Sequence, residues 1–88
     1  MVSKKFTIKN KMGLHMRPAN VLVTAMTKYS SDINIIFEGK TINAKSIMNI
    51  MAACIKCGSQ IIVECSGDDE SAMLKEAGEL IENGFGEE

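Results

Sequence analysis

The stretch KNKMGLHMRPAN, residues 9–20, holds the only histidine, the only arginine and the only proline of the 88-residue chain: His15, Arg17 and Pro18. An imidazole is a nucleophile, and a guanidinium offers several N–H donors in a fork that matches phosphate. Proline is tolerated in the first turn of a helix, where its missing N–H would lack a partner anyway, so Pro18 marks a helix start. With Pro18 at the first helical position Arg17 is the cap; a boundary shifted by one or two residues makes it His15. Either way the imidazole stands at a helix N-terminus, whose positive end disfavours an imidazolium and favours a bound anion. The expected chemistry is a nucleophilic nitrogen beside a phosphate cradle. Nothing else in the chain completes a Ser-His-Asp arrangement or a metal site that includes His15, so a hydrolase is not expected.

The elements that position this corner follow from the apolar spacing. Phe6 and Ile8 alternate with Lys5, Thr7 and Lys9, which predicts a strand over 2–8. From Pro18 the pattern becomes Ala19, Leu22, Val23 and Met26, one face of a helix ending near Tyr29. Ile33, Ile35 and Phe37 resume alternation, and Glu38-Gly39 predicts a tight hairpin into Thr41, Ile42 and Asn43. Ser46 precedes a short helix that Gly58 is expected to close, and residues 60–66 read as a further strand. The acidic run after Gly67 suits the start of a last helix with the stripe Leu74, Ala77, Ile81 and Phe85, interrupted by Gly78. The order is strand, helix, strand, strand, helix, strand, helix, one α+β unit over 1–88 with helices on one sheet face.

Composition sets the bounds. A chain this short encloses no substrate, and no run approaches the roughly 18 apolar residues of a membrane span. Cys54, Cys57 and Cys65 make an odd count without a signal peptide, so reduced thiols and a cytoplasmic location are expected. Residues 1–45 carry eight Lys and Arg against Asp32 and Glu38, a balance of +6, while residues 46–88 carry −7. This modest basic excess suits an acidic protein partner at least as well as nucleic acid. Cys54-Ile-Lys-Cys57 admits a thiol or zinc-binding reading, but a structural zinc needs four ligands and only Cys65 and His15 remain to supply them.

Two further features bear on regulation. Ser46 can cap its helix, accepting a hydrogen bond from a first-turn N–H. Ile47, Met48, Ile50 and Met51 cannot all face inward on one short helix, and an exposed Met-rich patch is a reasonable docking surface for several partners.

GLHMRPA, residues 13–19, resembles the active-site signature of the HPr family, the histidine-containing phosphocarriers of the bacterial sugar phosphotransferase system. NAKSIMNIM, residues 43–51, is similar to that family's regulatory serine region. The resemblance implies an open-faced β-sandwich of βαββαβα order, with a four-stranded antiparallel sheet in order 1-4-2-3 and three helices on one face. It implies that His15 accepts a phosphoryl group from enzyme I and passes it to enzyme IIA components. Arg17 and the backbone of Met16 and Arg17 would hold the phosphate, Ser46 would be a target of the HPr kinase/phosphorylase linked to the catabolite control protein, and Asn20, Ile47, Met48 and Met51 would dock partners. Such a protein is a monomeric carrier, not an enzyme, with no cofactor, no metal, no direct nucleic-acid contact and no membrane insertion. Met16, Asn20, Asn49 and Cys54 depart from the family's usual residues, which touches partner preference and kinase recognition.

Overall fold

A computed structural model describes residues 1–86, so Glu87 and Glu88, the last two residues of the expected domain, lie outside the described residues. The elements are β1 (Val2–Thr7), α1 (Met16–Met26), β2 (Asp32–Phe37), β3 (Lys40–Asn43), α2 (Ile47–Ala53), β4 (Gln60–Ser66) and α3 (Glu70–Glu82), followed by a 3-10 turn over Gly84–Gly86. The four strands form one antiparallel sheet in the order β1-β4-β2-β3.

Register follows from the alternation. Phe6 lies opposite Ile61, Val63 opposite Ile35, and Ile35 opposite Ile42, so the apolar residues of all four strands share one face. That face meets the helices, which contribute Ala19, Leu22, Met26, Ile50, Met73, Ala77 and Ile81 to the core. A slip of one residue in any strand would turn its apolar set to solvent, which is why the pairing is so well specified. The opposite face carries Lys5, Thr41, Asn43 and Glu64 and stays open. Glu38 and Gly39 both take positive φ, 50° and 78°, in the two-residue turn that the right-handed twist of a hairpin favours.

Three helix limits differ from the sequence expectation. α1 begins at Met16, the start that makes His15 the cap, but stops at Met26, short of the expected end near Tyr29. α2 stops at Ala53 with Cys54 in the left-handed region (φ 54°, ψ 49°), while Gly58 belongs to the turn that leads into β4. A residue with a Cβ is strained there, and glycine is the usual occupant of such a helix end. α3 buries Met73 where Leu74 was expected and stops at Glu82; Phe85 reaches the core from the 3-10 turn instead.

Gly78 has a packing reason that the sequence did not reveal. A Cβ there would come within 2.9 Å of the Phe6 ring, which is itself buried in the core. Gly78→Ala gains about 1 kcal/mol of helix propensity but overpacks the ring, and overpacking typically costs more. A net loss of about 1 kcal/mol is expected, measurable as a lower urea midpoint; a raised midpoint would show that the ring gives way freely.

Asp69 precedes α3 without capping it. Its carboxylate instead accepts the backbone N–H of Ser30 (3.1 Å) and of Ser31 (2.9 Å) and the Ser31 hydroxyl, while its own N–H donates to Ser31 Oγ at 3.1 Å. The α1–β2 connection is thereby tied to the start of α3. The Ser31 hydroxyl, followed by these N–H groups, holds the Asp69 carboxyl below the ordinary 3.8. A depressed folded-state value means stability that is present above the ordinary carboxylate range and is lost as pH falls through the lowered value. Tm is therefore expected to fall on acidification, with Asp69→Asn less stable near neutrality and flatter between about pH 5 and about pH 3. Parallel acid limbs for the two proteins would remove Asp69 as the cause.

The charge segregation along the chain is partly cancelled in space. Lys9 pairs with Glu82 at 3.2 Å, Lys28 with Glu76 at 2.7 Å, and the N-terminal ammonium with Glu70 at 3.1 Å. Each exposed pair is worth about 0–1 kcal/mol. Tyr29 also donates its hydroxyl to Glu76 at 2.6 Å, and that bond pushes the phenol up to about 12.

Candidate functional site

The loop between β1 and α1 is held at three places. Ile8 extends the edge strand by pairing with the 58–59 turn: its N–H donates to Ser59 O at 2.9 Å and its carbonyl accepts from Gly58 at 2.8 Å. Asn10, buried, donates its side-chain amide to Gly84 O at 2.8 Å. Leu14, also buried, donates its N–H to Ile55 O at 2.9 Å. Between the last two ties Gly13 takes φ +70°, and an added Cβ would stand 2.7 Å from Lys56 Cα and 3.1 Å from Cys57 N. Only glycine fits where two backbones meet this closely.

This anchored loop delivers His15 to the N-cap of α1, with extended backbone (φ −79°, ψ −170°) and a carbonyl that accepts the Ala19 N–H at 3.0 Å. His15 is half-exposed, Met16 and Arg17 are exposed, and Pro18 and Ala19 are buried behind them. The alternative in which Pro18 opens the helix is set aside: it is the third helical residue. First-turn N–H groups have no acceptor within a helix, and proline has none to offer, so Met16 and Arg17 supply the backbone donors of the first three positions. His15, Met16 and Arg17 thus stand consecutively at the start of α1, half-exposed, exposed and exposed. Asn20 is exposed one position beyond Ala19.

Ser46 is half-buried and caps α2 as its position suggested, accepting the Asn49 N–H at 3.2 Å through Oγ. Lys45, just before it, donates Nζ to Tyr29 O at 2.8 Å and so links the start of α2 to the end of α1. Within α2, Ile50 is buried, Ile47 and Met51 are half-buried and Met48 is exposed. Helices α1 and α2 pack against each other.

The cysteines do not converge with His15. Cys54 and Cys57 are exposed, with sulfurs near Met51 O and Lys9 O at 3.8 Å each. Cys65 is buried in the sheet, and burial raises its thiol to about 11. Among the described residues no group of three or more His, Cys, Asp or Glu could hold a metal ion. No helix among them is long and apolar enough to cross a membrane. The groove of about 480 Å³ between β1 and α3, lined by Val2, Phe6, Leu74 and Gly78, includes none of the residues of this corner. Sequence reasoning missed Asn10 and Gly13; the available signal was a polar residue and a glycine inside a short connection to a helix start.

Fold and site together define an open-faced sandwich that presents a histidine and an arginine at the first turn of its first helix. Residues 2–83 match the family model PTS-HPr, described as the PTS HPr component phosphorylation site. A phosphocarrier protein HPr of Xylella fastidiosa (strain Temecula1) is 38% identical over 88 residues, covering 100% of this chain and 99% of the relative. That of Treponema pallidum is 39% identical over 88 residues, with full coverage of both. Among solved structures, HPr-C-His from Thermoanaerobacter tengcongensis superposes with a TM-score of 0.96 at 43% identity, covering 100% of this chain and 99% of the other. A chain of the HPr dimer from the same organism gives 0.79 at 42% identity, covering 99% and 100%. The Bacillus subtilis catabolite-repression protein Crh, described as a swapped dimer, gives 0.77 at 31% identity, covering 96% and 97%. The chain belongs to the HPr family of phosphocarrier proteins.

Proposed function

We propose that this chain acts as a single-domain phosphocarrier of the sugar phosphotransferase system, taking a phosphoryl group on Nδ1 of His15 from phosphorylated enzyme I and passing it to a histidine of an enzyme IIA component. The observation that carries this reading is the half-exposed His15 at the N-cap of α1, next to the Met16 and Arg17 amides and the exposed Arg17 side chain. A carrier must hold phosphate well enough to form the adduct and loosely enough to release it. A shallow solvated corner meets both demands, whereas an enclosed one would trap the charge. Phosphohistidine also retains high transfer potential, which a serine ester lacks. The carrier adds positioning and electrostatics only, the main protein contributions to phosphoryl transfer.

Asn20, Ile47, Met48 and Met51 would dock the partners, since α2 lies against α1 and leaves part of its apolar face uncovered. We place the protein in the cytoplasm as a monomer needing no cofactor or metal.

Incubation with phosphoenolpyruvate and enzyme I tests the assignment. Acid-labile, alkali-stable label is expected; no label with an enzyme I that labels a known carrier would overturn it.

Ser46 is proposed as the target of an HPr kinase/phosphorylase, with the product acting through a catabolite control protein. A phosphate there adds about −2 charge beside the docking residues while meeting first-turn donors. Ser46→Ala is expected to abolish ATP-dependent, acid-stable label and to cost about 1 kcal/mol through loss of the cap. If a kinase active on another carrier labels neither wild type nor variant, Ser46 is a cap alone.

A further inference from the structure

The seven methionines fall into separate environments. Met26 and Met73 are 0% exposed in the core, whereas Met12, Met16 and Met48 are 76%, 63% and 82% exposed. Met12 lies three residues before His15, Met16 directly follows it, and Met48 stands in the first turn of α2, the helix packed on α1. Apart from Met1 and Ile62, these three are the large apolar side chains that the described residues expose. Most of the large apolar side chains exposed among the described residues are thus thioethers, while Met26 and Met73 in the core are shielded from solvent.

We propose that Met12 and Met16, which flank His15 in the chain, and Met48 on the helix packed against α1 are an oxidant-sensitive set, at which hydrogen peroxide converts the thioethers to sulfoxides and reversibly slows phosphoryl exchange. This rests on the carrier reading above. In each event the sulfur lone pair attacks one peroxide oxygen, an S–O bond forms and the O–O bond breaks. The second oxygen leaves with both protons as water; the sulfur is oxidised by two electrons and the peroxide reduced. A flexible apolar contact becomes a polar one, and at Met16 the change falls on the residue next to His15. The fold survives because Met26 and Met73 are out of reach. Methionine sulfoxide reductase reverses the change.

The test uses full-length Cys54→Ser/Cys57→Ser protein, which removes exposed thiol oxidation, and the same protein carrying Met12→Leu, Met16→Leu and Met48→Leu. Each is treated with hydrogen peroxide and compared with its own untreated sample. Peptide mass spectrometry should find one added oxygen at Met12, Met16 and Met48 and none at Met26 or Met73. The rate of phosphoryl acceptance from enzyme I should fall several-fold with an unchanged thermal melt, and the reductase should restore it. In the triple-leucine protein the treated and untreated rates should agree. Unchanged rates despite the three sulfoxides, or an equal loss in the triple-leucine protein, would overturn the inference alone. Failure of the untreated protein to accept phosphate would overturn the carrier reading and this proposal with it.

Discussion

His15→Ala is expected to accept no label from phosphoenolpyruvate and enzyme I, while its thermal melt stays close to wild type. Two features predict this separation of chemistry from stability. The His15 side chain makes no capping hydrogen bond, and the bond its residue does give to the helix, from its carbonyl to the Ala19 N–H, belongs to the backbone and is retained in alanine. A stability change within about 1 kcal/mol is expected, since the position is a helix cap without capping function. The loss of label has no such bound: the chain holds no second histidine to take the phosphoryl group. Label surviving in His15→Ala would move the chemistry to another residue. A collapsed melt would instead make His15 a structural residue, and the absence of label would then say nothing about its nucleophilicity.

Gly13→Ala is expected to be strongly disruptive. The residue has φ +70°, and the new Cβ would meet backbone atoms of Ile55, Lys56 and Cys57, which cannot rotate away as a side chain can. Left-handed strain alone is worth about 1–3 kcal/mol, and the collision adds to it, so a loss of about 3 kcal/mol is predicted from urea denaturation. The functional effect follows by the same geometry. Separating the 10–14 and 55–57 segments breaks the bond from Leu14 N–H to Ile55 O, and His15 is the next residue. Phosphoryl acceptance by the folded fraction should therefore fall as well. A variant with an unshifted midpoint would mean that the two segments part without penalty, and that the loop does not hold His15 in place.

Much of this architecture could be read from residue order because it rests on local rules. The alternation of Ile33, Ile35 and Phe37, the Glu38-Gly39 turn and the Ser46 cap each involve residues within a few positions of one another, so their signals survive in one dimension. The clustering of His15, Arg17 and Pro18 marked a helix start in that corner for the same reason. Where local signals competed, the sequence was ambiguous. Pro18 fits several first-turn positions, and the true start at Met16 emerged only once Leu14 was tied to Ile55. Gly58 looked like the end of α2, but Cys54 takes the left-handed conformation itself.

Composition, periodicity and motif thus determined the elements, their order and the residues that could do chemistry, since each depends on neighbours along the chain. Tertiary structure alone decided that Gly78 makes room for Phe6, that Asp69 clamps Ser30 and Ser31, and that Asn10 and Gly13 hold the loop that presents His15. Those contacts join residues 38 to 74 positions apart, and no local preference encodes which distant backbone will arrive to accept a hydrogen bond or to exclude a methyl group.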